Sequence, residues 1–140
     1  MNARVAIGID LGGTYIKAGL VSETGESLGQ WKEATGAGGG AAAVMDTLIA
    51  LTRRILNSDE LKKGTSTELS ESGLAPVLVG LGIGSPGTVD PIQGVVKSAT
   101  ATLPGWKGTR IGPIFEKEFG LRTWIDNDAN AYAWGEYHFG

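Results

Sequence analysis

A five-residue segment, Asp10-Leu11-Gly12-Gly13-Thr14, separates two apolar runs that each read as a β-strand. Val5-Ala6-Ile7-Gly8-Ile9 precedes it, and Tyr15-Ile16-Lys17-Ala18-Gly19-Leu20-Val21 follows. So short a connection requires antiparallel neighbours, because a parallel return needs a long crossover. The turn itself combines a carboxylate, two glycines and a hydroxyl. Glycine lacks Cβ, so it takes positive φ and lets the backbone approach a ligand. The N–H groups of such a turn can face a phosphate chain, with the Thr14 hydroxyl as a further donor. Asp10, at the end of the first strand, is placed to hold a hydrated Mg²⁺. A plain hairpin whose Gly-Gly serves only turn geometry has the same appearance. The turn alone leaves both readings open.

Beyond it, the chain alternates strands and helices. Strands are expected over 4–9, 15–22 and 27–34, all antiparallel. Val44, Leu48, Leu51 and Ile55 recur at helical spacing and predict a helix over 41–56. The polar stretch 62–73 reads as an exposed loop. Val77 to Gly84 is a continuous apolar run, the pattern of a parallel strand buried on both faces. Thr88-Val89-Asp90 and Val95-Val96-Lys97 flank Pro91-Ile92-Gln93-Gly94, a β-hairpin. A short helix is expected from Thr109 to Gly120 with Ile111, Ile114, Phe115 and Phe119 inward. A last strand follows over 121–125, and Asp126-Asn127-Asp128 opens a final helix. Three antiparallel strands followed by parallel ones make an α/β fold, with ligands expected beyond the carboxyl ends of the parallel strands.

Length and charge narrow the class. A chain of 140 residues is one domain on length alone. The formal charge of −3 carries no basic bias and argues against nucleic-acid binding. Without cysteine there is neither a disulfide framework nor a thiolate metal site. No apolar run reaches the roughly 18–20 residues that span a bilayer, and the cytoplasm is the default location.

Two further constellations carry chemistry. Gly82-Ile83-Gly84-Ser85-Pro86-Gly87 fits G-x-G-x-x-G after a strand, but Pro86 and a hairpin follow instead of a helix. A dinucleotide site is therefore disfavoured. No G-x-x-x-x-G-K-[ST] occurs, which excludes a P-loop. In Asp126-Asn127-Asp128-Ala129-Asn130, helix capping explains one residue of the three. A carboxylate there can also accept a hydroxyl proton, and the neighbouring amide can orient the same substrate. His138, Glu136, Trp106 and Trp124 read first as surface or packing residues, and Lys17 as a solvated strand residue.

Taken together, Gly8 to Thr14, Gly82 to Asp90 and Asp126 to Asn130 resemble, in this order, the motifs of the ROK family of bacterial glucokinase-like sugar kinases and related repressors. Leu103-Pro104-Gly105-Trp106 is similar to its sugar-proximal loop. The resemblance implies a ribonuclease H-like, actin-like ATPase fold: a mixed five-stranded sheet, three strands antiparallel and then parallel ones, with helices on both faces. It implies that Asp10, Gly12, Gly13 and Thr14 meet ATP and Mg²⁺, with Asp10 holding the metal through water. Asp128 resembles the base that takes the proton of the attacking sugar hydroxyl, Asn127 the residue that binds an adjacent hydroxyl, and Gly87 a sugar-lining position. Thr102 stands where many members have Asn, which puts the sugar identity in doubt.

Residues 1–140 are accordingly expected to be the N-terminal lobe of a hexose kinase. The C-terminal lobe, with its Glu-Gly-His sugar contact, structural zinc and adenosine pocket, is not in this sequence. The 140-residue chain is expected to be inactive alone, and the full-length protein a homo-oligomer that binds hexose and nucleotide but neither nucleic acid nor membrane. The alternative is the sugar-sensing domain of a ROK-type regulator, although the strand beginning near residue 4 leaves no room ahead of it for a helix-turn-helix. A relative that only binds or hydrolyses ATP is a third reading.

Overall fold

The computed structural model describes residues 4–63, 77–98 and 101–127. Five strands form one sheet in the order β3-β2-β1-β4-β7: β1 (Arg4–Leu11), β2 (Tyr15–Ser22), β3 (Ser27–Ala34), β4 (Val77–Ser85) and β7 (Thr123–Asn127). β1 pairs antiparallel with β2, and β2 with β3. β1 pairs parallel with β4, and β4 with β7. A separate hairpin joins β5 (Thr88–Asp90) to β6 (Val95–Ser98). The helices are α1 (Ala41–Leu56), the short α2 (Asp59–Lys63) and α3 (Ile111–Phe119). The mixed sheet and its topology are those expected from the sequence.

Alternation along the strands sorts the side chains by face. Val5, Ile7, Ile9 and Leu11 of β1, Ile16, Ala18 and Leu20 of β2, and Leu81 and Ile83 of β4 are buried on one side. They form a single core with Val44, Leu48, Leu51 and Ile55 of α1 and with Ile111 and Phe115 of α3. Gly120, at φ 64°, ends α3 in the left-handed conformation that glycine adopts without steric cost. The described helices line this face; the helix expected after Asn127 lies outside the described residues.

Core alignment depends on one irregularity. Val5 pairs with Leu78 but Ala6 pairs with Gly80, so Val79 is an extra residue in β4. From that point Leu81 stands beside Ile7 and Ile83 beside Ile9, facing the core. Gly80, Gly82 and Gly84 stand beside Ala6, Gly8 and Asp10 on the opposite face. Without the bulge the glycines would fill core positions and the leucine and isoleucine would point outward.

Several local expectations need correction. β4 is buried from Gly80 to Ser85, apart from half-buried Gly82, as expected of a strand covered on both faces, but the residues on its second face are glycines and Val77 at its start is exposed. Lys62 and Lys63, assigned to a loop, end α2, and the rest of that loop lies outside the described residues. Ile114 is 38% exposed, because the inward stripe of α3 runs through Ile111, Gly112 and Phe115. The last strand extends through Asn127, so Asp126 and Asn127 belong to a strand end and not to a helix start. Trp124 is partly exposed with Arg122 stacked over its ring at 4.8 Å, whereas Trp106 is fully buried.

Deleting Val79 leaves Leu78, Gly80, Leu81, Gly82 and Ile83 in strict alternation against β1, so the later residues of β4 keep their faces and the cooperative urea-unfolding transition is predicted to survive. Val79→Ala keeps the bulge and should cost less than about 2 kcal/mol in the same measurement.

Candidate functional site

The sheet register places a row of charged side chains at the carboxyl end of the parallel strands. Lys32 pairs with Lys17, Lys17 with Asp10, Asp10 with Gly84, and Gly84 with Asp126. Paired residues project to the same face, so two lysines and two aspartates line up across all five strands. Gly84 holds the central position between the two carboxylates and contributes no side chain. Asp10 and Asp126 are two strands apart, which sets their backbones roughly 10 Å from each other. One step lower the row reads Gln30, Gly19, Gly8, Gly82 and Trp124. Three adjacent glycines contribute no side chain there, and no atom of the described residues lies within 4 Å of where a Cβ of Gly8 or Gly82 would be. A groove of about 1350 Å³ runs over this face, lined among others by Asp10, Lys17, Lys32, Trp124 and Asp126.

The Asp10-to-Thr14 turn opens at the end of that row. Its glycines serve close approach and not, as expected, positive φ: neither Gly12 nor Gly13 is among the positive-φ residues. A Cβ on Gly12 would fall 2.7 Å from the Tyr15 carbonyl oxygen, and one on Gly13 2.8 Å from the Cβ of Thr102. The Gly12 N–H donates to that Tyr15 carbonyl at 2.9 Å, so it closes the turn instead of facing outward. Thr35, fully buried just after β3, fixes the other side. Its hydroxyl donates to the Gly12 carbonyl at 2.7 Å and its N–H donates to the Thr14 carbonyl at 2.9 Å. No motif marks Thr35, yet the β2–β3 register does: with Tyr15 opposite Ala34, the next residue falls opposite Thr14.

On the neighbouring strand end, Ser85 pairs with Asn127. The Ser85 hydroxyl accepts the buried Trp106 indole N–H at 2.9 Å and donates to the Pro86 carbonyl at 3.1 Å. The Leu103-to-Trp106 loop is thereby pinned to the G-x-G-x-x-G segment, with Leu103 also buried. Gly87, at φ 87°, makes the turn into β5, a conformation side-chain-bearing residues rarely adopt. The N–H of Asn127 donates to the Asp126 carboxylate at 2.8 Å. Asp10, Gly12, Gly13, Thr14, Gly87, Thr102 and Asn127 thus gather at one end of the sheet. Asp128 lies outside the described residues, as do His138 and Glu136. Lys17, read from sequence as a solvated strand residue, is exposed and pairs across the strands with Asp10.

An exposed carboxylate at a strand end, a cation beside it and a glycine floor fit a nucleotide phosphate chain with its divalent ion. Mg²⁺ uses one or two carboxylates and completes its shell with water and phosphate oxygens, and Asp10 offers such an oxygen donor. Among the described residues no cluster of three or more His, Cys, Asp or Glu could hold a metal alone. No helix among them is long and apolar enough to cross a membrane.

Losses at the two anchors should differ in size. Ser85→Ala leaves the Trp106 indole N–H buried without its acceptor and is predicted to cost about 1–3 kcal/mol. Thr35→Val removes one hydrogen bond at nearly constant shape and should cost about 1 kcal/mol. Urea denaturation of both variants at unchanged m-value checks the order.

Comparison with known proteins places these features in a family. The chain is 35% identical to a glucokinase of Thermotoga maritima over 139 residues, covering 96% of this chain and 37% of that protein. It is 31% identical to a xylose repressor of Caldicellulosiruptor bescii over 134 residues, 96% of this chain and 30% of the repressor. Its fold matches the ROK family glucokinase of Streptomyces griseus, solved with glucose and AMPPNP, at a TM-score of 0.69 and 32% identity. That match covers 97% of this chain and 37% of the solved one. The chain thus spans between 30% and 37% of the length of these relatives, which include both kinases and repressors. The sequence profile of the ROK family matches residues 6–140, and the chain belongs to that family.

Proposed function

We propose that this chain is the N-terminal, phosphate-holding lobe of a kinase that transfers the γ-phosphoryl group of ATP to a hexose, glucose or a related sugar. The observation that carries the reading is the row Lys17, Asp10, Gly84 and Asp126 beside the anchored turn. Phosphoryl transfer requires mainly positioning and neutralisation of charge spread over the phosphate oxygens. The Gly12-Gly13 backbone, which carries no side chain of its own, lets the nucleotide phosphates come close, and the Thr14 hydroxyl and N–H give donors. Asp10 holds the hydrated Mg²⁺, and Lys17 places its ammonium beside the same phosphates. Mg²⁺, when bound, supplies charge neutralisation at the phosphate oxygens.

On the sugar side, Gly87 lets its loop approach the ring and Asn127 hydrogen-bonds a hydroxyl next to the attacking one. Asp128 is the proton acceptor, since a carboxylate near the attacking oxygen takes up the proton as the oxygen–phosphorus bond forms. The lobe alone lacks the remaining wall of the cleft, so the 140-residue chain is expected to show no turnover. The full-length protein is expected to act in the cytoplasm as a homo-oligomer. The xylose repressor relative supports a second reading, a sugar-sensing domain that binds ligand without turnover.

Kinetics of the full-length protein separate these readings. Asp128→Asn should lower kcat by at least about 10²–10⁴-fold, the usual range for loss of a general base, while sugar binding measured by calorimetry persists. Asp10→Asn should raise the Mg²⁺ concentration needed for half-maximal rate. Wild-type protein that binds sugar but phosphorylates none would favour the sensor.

A further inference from the structure

Thr102 belongs by resemblance to the sugar side, yet its side chain sits on the phosphate turn. A Cβ added to Gly13 would lie 2.8 Å from the Cβ of Thr102 and 3.4 Å from both its Cγ2 and its Oγ1. The branched carbon of Thr102 therefore caps Gly13, leaving no space for a methyl group. Gly13 does not have positive φ, so its backbone would accept an L-residue. Among the atoms within 4 Å of that position, the nearest three all belong to Thr102.

The two sides of the turn are thus held in different ways. On one side Thr35 bonds to the carbonyls of Gly12 and Thr14. On the other, Thr102 meets Gly13 by direct contact. The loop that presents Thr102 is itself fixed through buried Leu103 and through the Trp106–Ser85 hydrogen bond. A chain of contacts therefore runs from the end of β4, through buried Trp106 and Leu103, to exposed Thr102 and the turn.

We propose that Thr102 is a positioning residue: it sets the height of the Gly12-Gly13 backbone against the nucleotide phosphates and couples the sugar-side loop to that turn. The proposal rests on the kinase reading above. Carbon atoms pack at roughly 3.5–4.0 Å, so a methyl at Gly13 would push the turn and the loop apart by roughly 1 Å. A displacement of about that size can cost a transfer reaction about 10²-fold.

Steady-state kinetics of the full-length protein, with MgATP and sugar varied separately, test this. Gly13→Ala should lower kcat/KM for MgATP by about 10²-fold. Combining it with Thr102→Gly, which removes the obstructing Cβ, should restore at least about tenfold of that loss, since groups in contact are non-additive. Thr102→Gly alone should lower kcat/KM for MgATP more than Thr102→Val, which keeps the branched carbon. If Gly13→Ala does not fold, the comparison of Thr102→Gly with Thr102→Val decides. Additive effects in Gly13→Ala/Thr102→Gly, or a Thr102→Gly defect confined to the sugar KM, would overturn the role of Thr102 in an active kinase. A wild-type protein that phosphorylates no sugar would instead overturn the kinase reading, and the proposal with it.

Discussion

The extra residue at Val79 is the constraint on which the site depends. β1 is the only strand of the five that pairs antiparallel on one side and parallel on the other. Its partners must therefore agree on which face is the core. The β1–β2 pairing fixes Ile7, Ile9, Ile16 and Leu20 inward. In β4, Leu78 and Leu81 both pack toward that core, and strict alternation cannot place residues three apart on one face. A single-residue bulge reconciles them. As a consequence Gly84, buried and without a side chain, lies between Asp10 and Asp126.

Around that row, the turn owes its shape to neighbours distant in sequence. Gly12 closes it on Tyr15, Thr35 reaches it from the end of β3, and Thr102 caps it from the loop before α3. Thr35 is fully buried and Thr102 exposed, and both meet the turn by direct short-range contact. Surface ion pairs contribute far less. Arg53 with Glu118, and Arg54 with Glu33, are largely exposed and sit between α1 and its neighbours, where such pairs add at most about 1 kcal/mol.

Much of this was legible in the sequence because the signals were local. The antiparallel start follows from the short connection at Asp10 to Thr14, and α1 from the spacing of Val44, Leu48, Leu51 and Ile55. The motif at Gly82 to Gly87 and the Asp126-Asn127 pair fall at adjacent strand ends, as the carboxyl-end rule expects. What the sequence hid was register. An unbroken apolar run gives no sign of a bulge at Val79, so the second face of β4 could not be read as glycine. Lys17 is exposed as read, but its neighbour across the strand, Asp10, is defined only once the pairing is known. Thr35 and the Thr102–Gly13 contact join segments separated by 23 residues and by far more, a distance that periodicity does not cross.

Glycine-selective ¹⁵N labelling of the full-length protein, titrated with Mg²⁺ and the ATP analogue AMPPNP, reports on this arrangement most directly. If the nucleotide phosphates meet the turn and the row beside it, the amide resonances of Gly13 and Gly84 shift together and saturably, while those of Gly108 and Gly120 stay in place. Saturable binding that leaves both Gly13 and Gly84 unmoved would contradict it.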